Sequence, residues 1–179
     1  MPNLLLLGGN SIHNQSWIKK VEEQLASLFD ETTIHEYQHW LSGEGSMDIE
    51  KEINLVYSKI KDQKDLVIFA KSLGTVLAMK LMIDQGFLPK KCIFVGLPLG
   101  YIKNMGFSLK TYLSKISCPV LFIQNKEDPA GSYLEVVGEV SQISNDFSFV
   151  ELPGNDHDYS DVEKLSEIVS GFMVKRINF

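Results

Sequence analysis

The sequence predicts an α/β protein, a three-layer α/β/α sandwich built around a six-stranded, mostly parallel, doubly wound sheet. Two observations predict it: short apolar runs alternate with segments of helical periodicity along the chain, and no repeat or linker composition interrupts them. Strands and helices that alternate form parallel βαβ units with right-handed crossovers. With 179 residues, 44% of them hydrophobic, we expect a single domain over residues 1–179 with a substantial core.

Six short segments rich in apolar or β-branched residues are predicted to be strands. They are Leu4–Leu7, Thr32–Tyr37, Leu66–Ala70, Cys92–Val95, Val120–Gln124 and Phe147–Leu152. The continuous leucine run of the first segment is typical of a central strand buried on both faces. The second begins with β-branched residues, which favour extended backbone.

Helical periodicity appears between these runs. The apolar positions that set it are Trp17, Val21, Leu25 and Leu28; Ile49, Ile53, Val56 and Ile60; Val136, Val137 and Val140; and Leu165, Ile168, Val169 and Phe172. We expect Ser46 to cap the second of these helices, and Ser160 with Glu163 to form a capping box at the last. A further helix, from Ser72 to about Gln85, is apolar nearly all round and should be buried.

Composition and charge exclude several classes of function. The formal net charge is −6 and the lysines are scattered, so we expect no nucleic-acid partner. No apolar stretch approaches the ~20 residues of a membrane span, and the N-terminus lacks the features of a signal peptide, so we expect a soluble, cytoplasmic protein. Cys92 and Cys118 have no metal-ligand spacing. We interpret them as buried free thiols, with a disulfide as the alternative, and predict no metal and no cofactor.

The segment Ala70–Gly74 has the sequence Ala-Lys-Ser-Leu-Gly and lies between a predicted strand and a predicted helix. A serine on such a tight turn is exposed above the sheet, and small residues two positions before and after it let the adjoining backbones approach each other. Ser72 has alanine and glycine at those positions, where the usual pattern has two glycines. Ser72 is therefore a candidate nucleophile, and its alternative role is the N-cap of the helix.

Two polar side chains follow the last two predicted strands: Asp128 after the fifth and His157 after the sixth. In a doubly wound sheet the ligand site lies at the carboxyl ends of the strands, where Ser72 is also expected. A serine nucleophile needs a base, and the base needs an acid that orients it, so we predict His157 and Asp128 in these roles. Glu127 is the alternative acid. The alternative for His157 is an exposed, ion-paired side chain, and for Asp128 an ordinary turn residue.

The chain order Ser72, Asp128, His157, together with the turn at Ser72, resembles the α/β-hydrolase superfamily over nearly the full length. The resemblance is to its small lidless members, and it implies a minimal α/β-hydrolase fold with no cap domain. The superfamily's usual first two strands are missing from this sequence.

The segment Gly8–Ser11, directly after the first predicted strand, resembles the superfamily's first oxyanion loop, with Gly8 where that loop has a histidine. The resemblance implies that the backbone N–H groups of Asn10 and Leu73 form an oxyanion hole. Gly9 is the alternative donor to Asn10. Among the remaining histidines, His13 lies close enough along the chain to approach this site, whereas His35 and His39 are expected to be structural or exposed.

We therefore expect a serine hydrolase that cleaves a carboxyl ester or thioester of a small or surface-presented substrate. Candidate residues for one wall of an acyl pocket are Leu97, Tyr101, Met105 and Phe107; equally, they could pack a short helix onto the sheet. The alternatives are a non-catalytic binding module with the same fold and a lyase that uses His157 for proton transfer. The expected partner is a small-molecule ester or acyl substrate, and the chain is expected to be a monomer or homodimer.

Overall fold

The computed structural model describes residues 1–43, 45–144 and 146–174. Six strands form one sheet, and their order across it is β2-β1-β3-β4-β5-β6. The strands are β1 (Asn3–Leu7), β2 (Thr32–Ile34), β3 (Leu66–Lys71), β4 (Lys91–Val95), β5 (Val120–Asn125) and β6 (Phe147–Leu152). Every neighbouring pair is parallel, which confirms the predicted doubly wound sheet.

Helices occupy the connections and follow the last strand. They are α1 (His13–Leu25), α2 (Gln38–Ser42), α3 (Ile49–Ile60), α4 (Leu73–Ile83), α5 (Leu99–Asn104), α6 (Leu109–Leu113), α7 (Tyr133–Val140) and α8 (Val162–Val174). Helix α1 packs on α8, while α3 packs on α4, α4 on α6 and α6 on α7. These two groups cover the sheet, as the alternating pattern predicts.

The strand order places a ligand crevice between β1 and β3. From β1 the chain moves outward to β2 and then returns to β3 on the other side of β1, so the direction of winding reverses there. Ligands of doubly wound sheets bind at this switch point, beyond the carboxyl ends of the strands. Strands β3 and β5 are buried along their whole length, as are all but the first residues of β1 and β4, so apolar packing positions these carboxyl ends.

Several boundaries differ from the sequence prediction. Strand β2 ends at Ile34 instead of Tyr37, because the chain turns inward there and buries the Tyr37 ring. Helix α3 is capped by Asp48 instead of Ser46, since the Asp48 side chain accepts the Lys51 N–H. At the start of α8, Asp161 accepts the Lys164 N–H at 2.9 Å, in place of the expected capping box at Ser160 and Glu163.

The cysteines, the helices and the connection between β4 and β5 were also the subject of expectations from the sequence. Cys92 and Cys118 are buried free thiols whose sulfur atoms lie 3.9 Å apart, so they form no disulfide. Among the described residues, no helix combines the length and the apolar character that crossing a bilayer requires. The connection between β4 and β5 holds only the short helices α5 and α6, in agreement with the expected lack of a cap domain.

Candidate active site

Ser72 occupies the turn between β3 and α4, at the crevice where the winding of the sheet reverses. Its backbone angles are φ 52° and ψ −122°, a conformation that costs a non-glycine residue about 1–3 kcal/mol. The turn is held on both sides: the Ser72 N–H donates to the Val95 carbonyl at 2.9 Å, and Thr75 donates to the Ser72 carbonyl. Ser72 directly precedes α4, but its side chain makes no capping hydrogen bond to that helix.

Gly74 shows why this turn needs a small residue two positions after the serine. A Cβ at Gly74 would lie 2.6 Å from the carbonyl oxygens of both Leu7 and Gly8, closer than real Cβ contacts allow. The end of β1 therefore passes directly against the first turn of α4. This close approach brings the loop after β1 beside Ser72, as the sequence motif predicts.

A continuous chain of hydrogen bonds joins Ser72, His157 and Asp128. The Ser72 Oγ lies 2.8 Å from His157 Nε2, and His157 Nδ1 lies 2.8 Å from Asp128 Oδ2. Since a carboxylate accepts, these contacts assign the Nδ1–H tautomer to His157, with Nε2 left to accept the serine proton. The His157 side chain is 27% exposed, whereas the Asp128 side chain is 0% exposed. The partly exposed imidazole thus lies between a buried carboxylate and the hydroxyl of half-buried Ser72.

The Asp128 carboxylate is held by three donors besides His157. The Tyr159 hydroxyl donates at 2.6 Å, the Ala130 N–H at 2.8 Å and the Gln124 side-chain amide at 3.3 Å. A carboxylate that accepts this many hydrogen bonds cannot rotate freely, so it holds the imidazole in one orientation. Glu127, the alternative acid, is exposed, and its backbone N–H donates to the Gly154 carbonyl. The structure therefore places Asp128, and not Glu127, against His157.

Tyr159 and Gln124 are site residues that the sequence analysis missed. Burial, and then the hydrogen bond to Asp128, hold the pKa of the Tyr159 phenol far above its usual range, so the hydroxyl stays protonated and donates. Its ring packs edge-on against His157. Gly96 accommodates both rings, because a Cβ there would lie 2.7 Å from the Tyr159 ring and 3.0 Å from the His157 ring. The sole sequence signal for Tyr159 is its position two residues after His157.

The loop predicted to supply an oxyanion donor is held through its carbonyl groups. The Tyr37 hydroxyl donates to the Gly8 carbonyl at 2.9 Å. The Asn10 carbonyl accepts from His39 Nε2 at 2.6 Å and from the Trp40 indole at 3.2 Å. These three side chains come from α2 and the segment before it, an element that the sequence analysis did not predict. Together they fix the backbone of the loop at the Gly8 and Asn10 carbonyls.

The predicted donors themselves are free to bind a ligand. Within the part of the chain that the structure describes, the backbone N–H groups of Asn10 and Leu73 donate to no protein acceptor. In contrast, the Asn10 side chain is engaged, since its Oδ1 accepts the Met47 N–H at 2.7 Å. The assignment of Asn10 and Leu73 as oxyanion donors, with Gly9 as the alternative to Asn10, stays a prediction.

The four candidate pocket residues differ in burial and in position. Leu97 is fully buried, and its N–H donates to the Gln124 side chain beneath Asp128. Tyr101 and Met105 are exposed on and just after α5. Met105 and Phe107 line a groove of about 400 Å³ that also includes Ile49, Lys80 and Tyr112 but not Ser72. The acyl pocket formed by these four residues stays a prediction.

Another groove, of about 450 Å³, lies between β6 and the start of α8. Its lining includes Asn125, Asp156 and Tyr159, which surround the Asp128 side of the site, but neither Ser72 nor His157. Over the described residues, no three side chains of histidine, cysteine, aspartate or glutamate cluster as metal ligands would.

These features define a class: a parallel α/β sheet with a serine on a strained strand-to-helix turn, contacted by a histidine from the loop after the last strand. A family model described as "Alpha/beta hydrolase domain" matches residues 44–173. The chain belongs to this α/β-hydrolase family, which confirms the resemblance inferred from the sequence. Because the match starts at residue 44, one domain over residues 1–179 stays a prediction.

Solved structures with the same fold cover nearly the whole chain. Est1E from Butyrivibrio proteoclasticus, with ferulic acid bound, is 20% identical with a TM-score of 0.75, over 99% of this chain and 90% of Est1E. An alpha-beta serine hydrolase homologue from Coxiella burnetii is 20% identical with a TM-score of 0.75, over 96% and 84%. Mouse alpha/beta hydrolase domain-containing protein 10 is 14% identical with a TM-score of 0.73, over 97% and 90%. No curated protein matches the sequence.

Proposed function

We propose that this chain is a serine hydrolase that cleaves a carboxyl ester or thioester through an acyl-enzyme formed on Ser72. The observation that carries the proposal is the unbroken hydrogen-bond chain from the Ser72 hydroxyl through His157 to the buried Asp128 carboxylate. The family and its fold support hydrolase activity. A fold neighbour described as a serine hydrolase homologue, from Coxiella burnetii, agrees with a serine nucleophile.

In the first half of the reaction, the Ser72 Oγ attacks the carbonyl carbon of the substrate while His157 Nε2 takes the hydroxyl proton. The carbonyl π pair moves onto oxygen, and the N–H groups of Leu73 and Asn10 are the donors proposed to stabilise it. Each such donor is worth about 3 kcal/mol of transition-state stabilisation. Asp128 stabilises the imidazolium that forms and keeps its Nδ1–H in place.

In the second half, the imidazolium returns its proton to the leaving alcohol or thiol as the carbon–oxygen or carbon–sulfur bond breaks. Water then attacks the acyl-enzyme while His157 accepts a proton from it. The imidazolium returns that proton to Ser72 Oγ as the bond between Oγ and the acyl carbon breaks, and the acid product leaves. Every proton that moves in this cycle passes through His157 Nε2, the atom that faces Ser72. An amide leaving group is poorer, so esters and thioesters are the proposed substrates.

The size of the substrate is inferred from what covers the site. The short helices α5 and α6 replace a cap domain between β4 and β5, and the His157 side chain is 27% exposed. An open site accepts a small ester or an acyl group presented on a larger surface, and it does not enclose a long lipid chain. This agrees with the substrate class expected from the sequence.

The experiment that tests the proposal is labelling with a fluorophosphonate probe, which reacts with activated serines. We expect the wild-type chain to label, and Ser72→Ala and His157→Ala to lose labelling while circular dichroism shows that both variants fold. Ser58→Ala is the matched control, because Ser58 is exposed on α3 and bonds only the Leu55 carbonyl. Failure of the folded wild-type chain to label would reject the proposal in favour of a non-catalytic binding module.

If labelling depends on Ser72, the rates of hydrolysis of p-nitrophenyl acetate, butyrate and octanoate measure the length of the acyl group that fits. An acetyl thioester compared with the matched ester then measures the preference for the leaving atom. We expect the short esters to be hydrolysed faster than octanoate. The opposite order would contradict the proposed small acyl group.

A further inference from the structure

Lys71, the residue directly before Ser72, carries an ammonium group buried beside the site. The residue is 4% exposed, and Nζ donates to the Asn14 side-chain oxygen at 2.9 Å. Across the described residues, no carboxylate forms a salt bridge with it. Burying a charge without an ion-pair partner is costly, and a methionine or leucine would fill the same space without that penalty. A buried ammonium directly before Ser72 therefore points to a role in the site.

Aromatic rings from two different parts of the chain enclose this ammonium. Its nitrogen lies 4.7 Å from the centre of the Trp17 ring, on α1, and 5.9 Å from the centre of the Tyr159 ring. The Trp17 indole donates to the Tyr159 carbonyl at 2.8 Å, which joins the two walls. A cation that lies over aromatic faces is attracted by the negative charge density of the rings, and the attraction is stronger where water is excluded. The charge thus holds α1 and the segment after β6 together.

Asn14 connects the ammonium to the loop after β1. Its side-chain amide donates to the Ser11 carbonyl at 3.1 Å, and its backbone N–H donates to the same carbonyl at 2.9 Å. The side chain also packs directly on Gly9, because its atoms lie 2.9–3.3 Å from the place that a Cβ on Gly9 would take. Lys71 therefore supports, through Asn14, the loop that carries the proposed oxyanion donor.

We propose that Lys71 is a positioning residue of the site: its ammonium holds Asn14 against the Gly9 loop and Tyr159 beside Asp128, so that both loops keep their places around Ser72. The inference rests on the proposed function, since its effect on turnover requires a reaction at Ser72. Two loops from opposite ends of the sequence meet at this one charge. When the charge is lost, the ring contacts weaken and the loops lose their common anchor.

The same surroundings predict a dependence on pH. Desolvation lowers the pKa of Lys71 from 10.5 to about 8, against the opposing influence of Asp158, Asp128 and Asp156. The other titratable group that faces it is the Tyr159 phenol, whose pKa is raised, and the contacting side chains of α1 are uncharged. Lys71 is charged below about pH 8 and neutral above it, so the anchor weakens as the pH rises through that value.

The test compares Lys71→Met and Lys71→Arg with Lys91→Met, a control at the opposite end of the neighbouring strand. Lys91 also packs on an aromatic ring, that of Phe172, and burial also lowers its pKa. The second-order rate constant of fluorophosphonate labelling is measured from pH 6.5 to pH 10. We expect Lys71→Met to label about 10- to 100-fold more slowly than wild type at pH 7. Lys91→Met should label at the wild-type rate.

The pH profile separates positioning from a purely structural role. The wild-type rate should fall above about pH 8, the Lys71→Met rate should lack this fall, and Lys71→Arg should stay constant to pH 10 because its guanidinium remains charged. Circular dichroism and thermal unfolding establish that each variant folds. A folded Lys71→Met that labels at the wild-type rate, or that shows the wild-type decline above pH 8, would overturn the inference.

A second measurement keeps the inference testable without any reaction at Ser72. The backbone amide resonances of Gly9 and Asn10 are followed by NMR over the same pH range. We expect them to shift with a midpoint near pH 8 in wild type and not in Lys71→Met. Identical curves in the two proteins would overturn the coupling of Lys71 to the loop. A folded wild-type chain that does not label would instead reject the proposed function, and the amide curves alone would then decide on the coupling.

Discussion

Two carboxylate–histidine pairs lie in the part of the chain that the structure describes, and they have almost the same contact geometry. His157 Nδ1 lies 2.8 Å from Asp128 Oδ2, and His35 Nε2 lies 2.7 Å from Glu52 Oε2. Both carboxylates are buried, with exposures of 0% and 2%. The contact between acid and imidazole therefore does not distinguish a candidate active site from a structural pair.

The two pairs differ in what the second ring nitrogen of each histidine contacts. His157 Nε2 faces the Ser72 hydroxyl, and its side chain is 27% exposed. His35 Nδ1 is buried with no hydrogen-bond partner among the described residues, and the His35 side chain is 2% exposed. Burial lowers the pKa of His35, so the ring is neutral and donates its single N–H to Glu52. One imidazole is placed to receive a proton from a nucleophile, and the other is not.

The His35–Glu52 pair supports the site indirectly. Glu52 also accepts the Gln38 N–H at 2.7 Å, at the first residue of α2. That short helix carries His39 and Trp40, which hold the carbonyl of Asn10. We therefore expect the His157–Asp128 pair to affect the chemistry. The His35–Glu52 pair should instead affect the stability of α2, which supports the loop after β1.

The two pairs should differ most when the carboxylate of each is replaced by its neutral amide. Asp128→Asn removes the acceptor for His157 Nδ1–H and favours the wrong tautomer, so we expect the rate of fluorophosphonate labelling to fall by about 10⁴-fold. Glu52→Gln should leave that rate within about twofold and lower the free energy of unfolding by about 1–3 kcal/mol. Labelling rates and urea unfolding of both variants measure the two effects.

The control for the acid at the site is Glu127→Gln, which replaces the exposed neighbour of Asp128. It should leave the labelling rate at the wild-type value. The free energy of unfolding should stay within about 0.5 kcal/mol of wild type. A large loss in Glu127→Gln with little loss in Asp128→Asn would contradict the role proposed for Asp128.

A smaller effect is expected from the donors that hold Asp128. Tyr159→Phe removes the hydroxyl that donates to Asp128 and accepts the Asn125 N–H at 3.0 Å, while it keeps the ring beside Lys71. We expect labelling to slow by about tenfold, because supporting contacts of this kind contribute 10- to 100-fold. Tyr133→Phe, at the start of α7, is the matched control. Equal rates for Tyr159→Phe and wild type would show that the remaining donors suffice.

The smallest expected effect is a pH dependence of the free energy of unfolding that arises from the His35–Glu52 pair. Since the pKa of His35 in the folded chain lies below its ordinary value of 6.5, the unfolded chain binds more protons as the pH falls below 6.5. The stability that neutral His35 contributes is therefore present above pH 6.5 and lost below it. Urea unfolding at pH 7 and pH 5 should show a larger loss for wild type than for His35→Gln. The exposed-histidine variant His13→Gln should behave as wild type, and an equal loss in His35→Gln would contradict the assignment.

Most of the fold was predictable because its signals are local. Each predicted strand overlaps the observed strand, since a continuous apolar run between turn residues is sufficient to indicate a buried strand. The helix caps were less predictable. Ser46 and Asp48 are both good capping residues, and only the entry path of the chain decides that Asp48 accepts the Lys51 N–H. The pocket prediction depended on residues between two strands, where no periodicity constrains the path.

Three features could be inferred from the order of the residues: the alternation of strands and helices, the tight turn at Ser72, and the placement of Asp128 and His157 after the last two strands. These features depend on neighbours within a few residues, which a pattern of apolar and small side chains specifies. The tertiary structure alone decided that Asp128 and not Glu127 contacts His157, that Tyr159 donates to Asp128, and that the Lys71 ammonium is enclosed. The physical reason is distance along the chain: Ser72 and His157 are 85 residues apart, and Asp128 and His157 are 29 apart. Contacts between such distant residues form only when the packed sheet brings their loops to one edge.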